Sequence, residues 1–152
     1  MASLTAGAAM AMPVPADPRM LEIIGDYTGS RRRILTEHFS AYEVLKGGQG
    51  EGTLVRWKIA VGRWRVYDCL MSVTRPDDAT VIERDTNSSM MVTWAVPQDG
   101  GQAHVAVQIV WDSADGVAGI AERIFAPARI HRIYAQQLQN LEVLLRGSPS
   151  GL

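Results

Sequence analysis

Hydrophobic and polar positions alternate with a period of two through the middle of the chain and recur at helical spacing at its end. The segment TLVRWKIAV (53–61) puts Val55, Trp57, Ile59 and Val61 on one side and Arg56 and Lys58 on the other. AHVAVQIVW (103–111) is the cleanest case, with Val105, Val107, Ile109 and Trp111 opposite His104, Ala106 and Gln108. In RVYDCLMSV (65–73), Tyr67, Cys69, Met71 and Val73 share one parity, and Val66, Asp68, Leu70 and Ser72 share the other. Both sets are partly apolar, so the inward face of this segment stays open. ATVIERD (79–85) and Met90 to Val96 complete five predicted strands. The breaks between them are short turns at Gly62, Pro76-Asp77-Asp78, Asn87-Ser88-Ser89 and Pro97 to Gly101, which predict an antiparallel meander.

Before the meander the pattern is weaker. LTAGAAMAMPV (4–14) alternates, but with small residues on both faces, and predicts a first strand. Asp17-Pro18 is a helix start, because the carboxylate can accept from free backbone N–H groups and proline has none to lose at the first helical position. That helix carries Met20, Leu21, Ile23 and Ile24 and stops near Gly25-Asp26. A second short helix or irregular segment spans 30–38, followed by Phe39, Tyr42, Val44 and Leu45, which are assigned to no element. KGGQGEG (46–52) predicts tight turns with positive φ, as in a hairpin connection. At the other end, Ile120, Ile124, Tyr134, Leu138, Leu141 and Leu145 predict one long helix over about 116–146, its stripe widened by Phe125, Ile130, Ile133 and Leu144. Pro127 is expected to kink or divide it, and Gly147 to end it.

Composition narrows the class. A chain of 152 residues predicts one domain, here 1–152 with an ordered core over about 4–146. With 47% hydrophobic and 20% charged residues it is neither disordered nor fibrous. Fifteen basic against sixteen acidic side chains give a net charge of −1, which provides no drive toward nucleic acid or an anionic membrane. No apolar run approaches the roughly 20 residues of a membrane span. Cys69 is the single cysteine, so no internal disulfide can form, and no Lys or Arg precedes Arg19, as a secretory leader would require. The expectation is a cytoplasmic protein, monomeric or weakly dimeric.

The predicted order is a strand, two short helices, a Gly-rich turn, five meandering strands and a long helix. It is the order of the α+β helix-grip fold, in which a curved antiparallel sheet wraps around a long C-terminal helix and two short helices lie between the first two strands. PADPRMLEIIGD (15–26), YEVLKGGQGEGTLVRW (42–57), VIERDTNSS (81–89) with Trp94, and FAPARIHRIYAQQLQNL (125–141) resemble the START-like (SRPBCC) superfamily. Within it the detailed resemblance is to the bacterial polyketide cyclase/dehydrase group. The resemblance implies a pocket between sheet and helix. Members bind lipids, sterols, polyketides or plant hormones, and some catalyse cyclisation or dehydration, without a universal set of catalytic residues. TGSRRRILTEHFS (28–40) departs from the usual Trp-Pro-containing stretch, which lies near the pocket entrance in relatives.

Candidate ligand-contacting residues are Trp57, Ile59, Tyr67, Trp94, Phe125 and Tyr134, whose alternative role is plain core packing. Arg84 is the candidate polar anchor. Neighbouring strand residues face opposite ways, so either Arg84 or its neighbours Glu83 and Asp85 point inward, and an inward charge must be paired. Asp68 is a lesser candidate on the same reasoning. Arg31-Arg32-Arg33 is read as solvated. His38, His104 and His131 have no partner at metal-ligand spacing, so neither a metal nor another cofactor is expected. No catalytic motif is visible. The leading function is a binding or carrier protein for a hydrophobic, lipid- or polyketide-like small molecule. The alternatives are a cyclase/dehydratase-type enzyme, in which an Arg or Tyr stabilises an enolate, and a protein-interaction regulator.

Overall fold

The computed structural model describes residues 3–11, 19–62, 65–96, 104–112 and 116–147. In chain order these form β1 (Ser3–Ala11), α1 (Arg19–Gly25), α2 (Ser30–Ile34), β2 (Phe39–Lys46), β3 (Leu54–Ala60), β4 (Val66–Asp77), β5 (Thr80–Asp85), β6 (Met91–Ala95), β7 (His104–Asp112) and α3 (Gly116–Gly147). The seven strands make one sheet in the order β1-β7-β6-β5-β4-β3-β2, antiparallel throughout. The chain therefore crosses from one edge of the sheet to the other between β1 and β2, and α1 and α2 lie on that crossing. The sheet is curved and open, and α3 is the C-terminal helix it grips.

The period-two strands fall where the alternation places them, and their apolar parity builds the core. Val55, Trp57 and Ile59 of β3, Cys69, Met71 and Val73 of β4, Val92 and Trp94 of β6, and Val105, Val107, Ile109 and Trp111 of β7 are all buried. Against them pack Ile130, Ile133, Tyr134, Leu138 and Leu141 of α3. At 1–3 kcal/mol per fully buried large side chain, this layer supplies most of the drive to fold.

β2 is a strand that the alternation does not reveal. Its register against β3 slips between Ser40 and Glu43 and again between Val44 and Lys46, and Ala41 takes a φ of 53°. Each bulge inserts an unpaired residue, so the half-buried Phe39, Tyr42 and Val44 are spaced three and then two apart. α3 runs unbroken from Gly116 to Gly147 with Pro127 inside it, so the proline does not divide the helix. The proposed cap at Asp17-Pro18 lies outside the described residues.

The Gly-rich segment performs a second task besides turning the chain. Gly47, Gly48, Gly50 and Gly52 all have positive φ. At Gly48 a side chain is excluded twice over, since its φ is 143° and a Cβ would stand 2.7 Å from Thr28 Cγ2. The close approach lets backbone bond to backbone: Tyr27 N donates to Gly48 O at 2.8 Å, and Gly50 N donates to Gly25 O at 2.8 Å. The turn thus holds the end of α1, and with it Tyr27, at a fixed place beside the sheet.

Candidate functional site

In β5 the side chains of Val81, Glu83 and Asp85 are buried and Arg84 is exposed. Glu83 stands opposite Val73 on β4 and Val92 on β6, both fully or almost fully buried, so a carboxylate sits mid-sheet on the apolar face. The inward charge of this strand is therefore Glu83 rather than Arg84. The expectation for Arg84 is corrected by strand parity: once Val81 faces the core, the residue three along faces solvent.

The partner of Glu83 comes from α2. Arg31 is 0% exposed, and its Nη1 donates to Glu83 Oε2 at 2.6 Å while Nη2 donates to Oε1 at 3.4 Å. Nη1 also donates to the carbonyl of Ile24 at 3.2 Å. Two further donors complete the carboxylate: Tyr27 Oη to Oε2 at 2.5 Å and Trp94 Nε1 to Oε1 at 3.1 Å. The guanidinium carbon lies 4.9 Å from the ring centre of Trp94 and 5.4 Å from those of Tyr27 and Trp57, within cation–π range of all three.

Local structure explains why one arginine of the triplet turns inward. Asp26 sits ahead of α2, accepting from Ser30 N at 3.2 Å through Oδ2 and from Arg31 N at 2.9 Å through its carbonyl. This starts a single helical turn in which Arg31 and Ile34, three apart, share the buried side. Arg32 and Arg33 face solvent, and Arg32 lies over the Tyr42 ring at 5.0 Å. The solvated reading holds for those two and fails for Arg31. Asn140 of α3 donates to the Ile34 carbonyl at 2.9 Å, and Tyr42 Oη donates to the Tyr27 carbonyl at 2.5 Å, which fixes the segment from both sides.

Around the pair stands a wall of aromatic rings. Trp57 stacks with Tyr27 and Tyr42 and meets the edge of Phe39; Trp94 and Phe39 each touch Tyr134, with ring centres 5.7 and 6.4 Å away. Trp57, Ile59, Trp94 and Tyr134 are fully buried, and Trp57, Trp94 and Tyr134 belong to this wall. Tyr67 is half-buried on the same parity as Cys69, and Asp68 is exposed. Phe125 lies on α3, but its side chain is outside the described residues. Sequence reasoning missed Arg31, Tyr27 and Gln137. The i, i+3 pairing of Arg31 with Ile34 was the one available signal.

Several buried polar atoms have no hydrogen-bond partner among the described residues: Trp57 Nε1, Tyr134 Oη and Arg31 Nε at these rings, and both amide atoms of Gln137, one turn beyond Tyr134 on α3. Burial pushes the Tyr134 hydroxyl well above the ordinary phenol value, and the charge of Glu83 pushes the same way. Tyr27 is raised likewise by burial and then by Glu83. Burial, the largest influence, lowers the Arg31 guanidinium, but the charge and hydrogen bond of Glu83 together with the Tyr27 and Tyr134 phenols leave it raised. All three keep their protons at neutral pH and act as donors. Burial also raises the Cys69 thiol, so it is not a thiolate nucleophile.

Two clefts lie elsewhere. One of about 820 Å³ runs between residues 35–38 and the outer side of α3, beside Arg129, Arg132, Gln136 and Asn140. Another, of about 440 Å³, separates α1 from the Gly-rich turn, beside Glu22, Asp26 and Arg75. Neither includes Trp57, Trp94 or Tyr134. Both are open to water, which can satisfy their polar groups, whereas the interior cluster is fully buried. The candidate site is therefore the interior one.

No protein-family model and no curated protein matches the sequence. Among solved structures, the KanY protein, known from an NMR solution structure, is 37% identical, covering 97% of this chain and 100% of its own, with a TM-score of 0.83. The chain belongs to the KanY family. Its fold recurs in TTHA0849 from Thermus thermophilus, at 17% identity over 95% of this chain and 100% of that one, with a TM-score of 0.74. It recurs again in major latex-like protein 151 of Panax ginseng, at 12% identity over 93% and 97%, with a TM-score of 0.70. The di-domain ARO/CYC protein BexL matches at 12% identity over 97% of this chain and 51% of its own, with a TM-score of 0.67. This KanY-family chain thus has the Bet v1-like helix-grip fold.

Proposed function

We propose that the chain is a binding or carrier protein for a hydrophobic small molecule held between the inner face of the sheet and α3. One observation carries this reading: Trp57, Tyr134 and Arg31, in and beside one set of touching rings, and Gln137, one turn beyond Tyr134, are fully buried and keep polar atoms that have no partner among the described residues. Leaving a buried donor or acceptor unmet costs about 1–3 kcal/mol each, so such a cluster is expected where a guest completes it. The aromatic wall supplies the contact area. A guest burying about 250 Å² of apolar surface gains roughly 6 kcal/mol. Association costs of about 4 kcal/mol or more leave the polar atoms to supply the remaining affinity and the selectivity.

The fold shared with the ginseng latex-like protein and with BexL supports a ligand-holding interior, and the bacterial cyclase/dehydrase group is the resemblance we retain. The sole cysteine is free and buried, which suits a cytoplasmic protein. No helix among the described residues is long and apolar enough to cross a membrane. Native mass spectrometry of the purified protein tests the proposal: a co-purifying hydrophobic compound lost on Trp57→Ala supports it. Absence of any such compound, together with no binding of hydrophobic probes, removes it.

A cyclase-type reading is favoured by a specific feature, the buried Tyr134 hydroxyl and Arg31 Nε–H, two donors suited to a developing enolate oxygen. Turnover of a polyketone by the parent protein, abolished in Tyr134→Phe even at saturating substrate, decides for it. Unchanged turnover in that variant decides against it.

A further inference from the structure

We infer that the interior site selects a neutral molecule presenting a carbonyl or similar acceptor oxygen, and that it disfavours lipids bearing a carboxylate. This rests on the interior being a ligand site, as proposed above, and goes on to say which of the lipid-like and polyketide-like classes it takes.

The first step is the inventory of unmet groups. Trp57 Nε1–H and Arg31 Nε–H can only donate, while Tyr134 Oη and the Gln137 amide can donate or accept. Demand is therefore greater for acceptors than for donors. Glu83 cannot meet it, because its two oxygens already receive Tyr27, Trp94 and both terminal nitrogens of Arg31. An oxygen carried by the guest can.

The second step is charge. Among the described residues, Arg31 is the one buried cation, whereas Glu83 and Asp85 are both buried anions. Arg31 is already neutralised by Glu83 at 2.6 Å. Among the described residues no further buried cation would pair a guest carboxylate, which would stand beside a carboxylate of the same sign, and buried unpaired charge is strongly opposed. A neutral carbonyl draws on the same donors without that penalty.

The test uses ¹⁵N-labelled full-length protein titrated separately with 9-fluorenone, fluorene and dodecanoate. The first two differ by one carbonyl oxygen and the third carries a carboxylate. The readout is the indole N–H resonance of Trp57, assigned by its loss in Trp57→Phe, together with the three affinities. We expect fluorenone to move that resonance and to bind about fivefold or more tightly than fluorene, the gain of one net hydrogen bond, with dodecanoate weakest. In Tyr134→Phe, and separately in Gln137→Leu, the fluorenone-to-fluorene ratio should shrink while fluorene affinity holds. Equal binding of fluorenone and fluorene, or tighter binding of dodecanoate at the same resonance, would overturn the inference while leaving an interior ligand site in place. If none of the three moves any interior resonance, the ligand-site reading fails and this inference fails with it.

Discussion

Replacing Glu83 by Gln keeps the side chain's size and removes its charge, which isolates the electrostatic part of the buried pair. Arg31 would then be a fully buried cation whose only remaining protein acceptors are the Ile24 carbonyl and an amide oxygen. Removing one partner of a buried pair costs about 3–5 kcal/mol. The rings of Trp94, Trp57 and Tyr27 around the guanidinium soften that penalty, together by about 1 kcal/mol, so a loss near 3 kcal/mol is expected. For a chain of this length it corresponds to a fall in Tm of about 6–12 °C. Urea and thermal unfolding followed by far-UV circular dichroism measure it. The double variant Arg31→Met with Glu83→Leu then closes a cycle. It should be less destabilised than the sum of its single changes by about 2 kcal/mol or more, yet still below the parent, because Tyr27 Oη and Trp94 Nε1 lose their acceptor. Single changes each costing under about 1 kcal/mol, adding without coupling, would refute the reasoning, since no desolvated pair behaves that way.

Tyr134→Phe removes a buried hydroxyl with no partner, so it should leave the ligand-free protein as stable or about 1 kcal/mol more stable while weakening ligand binding; a clear loss of stability in urea would contradict the orphaned state of that hydroxyl. Arg84→Ala, at an exposed position, should change stability by less than about 0.5 kcal/mol and leave probe binding intact, as checked by the same two assays. Alkaline pH should unfold the protein: burial raises the phenols of Tyr27 and Tyr134, and moves that of Tyr42 to about 12, relative to an unfolded value of 10. The native state then holds protons that the unfolded chain releases, so stability is full below pH 10 and falls as pH rises toward 12 and beyond. Tm measured across that range in parent and Tyr27→Phe should show the shallower decline in the variant. Cys69 should react with a thiol reagent only as fast as the protein opens, because it is buried and un-ionised; rapid labelling under native conditions would contradict its placement.

Much of the fold was written in alternation. β3 and β7 put apolar residues on one parity with little ambiguity, and those residues are the core. β4 was open because Val66 and Leu70 oppose Tyr67 and Met71, and only pairing with β3 and β5 settles which set is inside. β2 escaped because its two bulges destroy the very period that announces a strand. The site was legible only in part. Trp57, Trp94 and Tyr134 follow from pattern alone, as large rings on inward parities. Glu83 was one arm of an open choice, decided by whether Val81 or Ile82 faced the core. Arg31 was hidden inside a basic triplet that composition assigns to solvent. Its burial depends on Glu83, fifty-two positions away, and no local window contains that information.

Without the hydrogen bonds that Glu83 also takes from Tyr27 and Trp94, the Arg31–Glu83 pair would be a poor choice for stability alone. A well-packed apolar pair of similar volume in its place is often neutral or stabilising by about 1–4 kcal/mol. What the ion pair provides instead is direction. Glu83 accepts from Tyr27, Trp94 and Arg31 at once, so it orients two aromatic rings and ties α2 to the centre of the sheet. With the carboxylate saturated, the remaining donors on Trp57 and Arg31 are held on rigid groups with no protein acceptor. An apolar substitute would fill the same volume but would fix neither the rings nor those donors. The geometry therefore fits a site preorganised for a particular polar contact better than a core built to be as stable as possible. On that reasoning the Glu83→Leu, Arg31→Met double variant should retain some general affinity for fluorene while losing most of its preference for fluorenone. A preference that survived the exchange would locate selectivity somewhere other than this cluster.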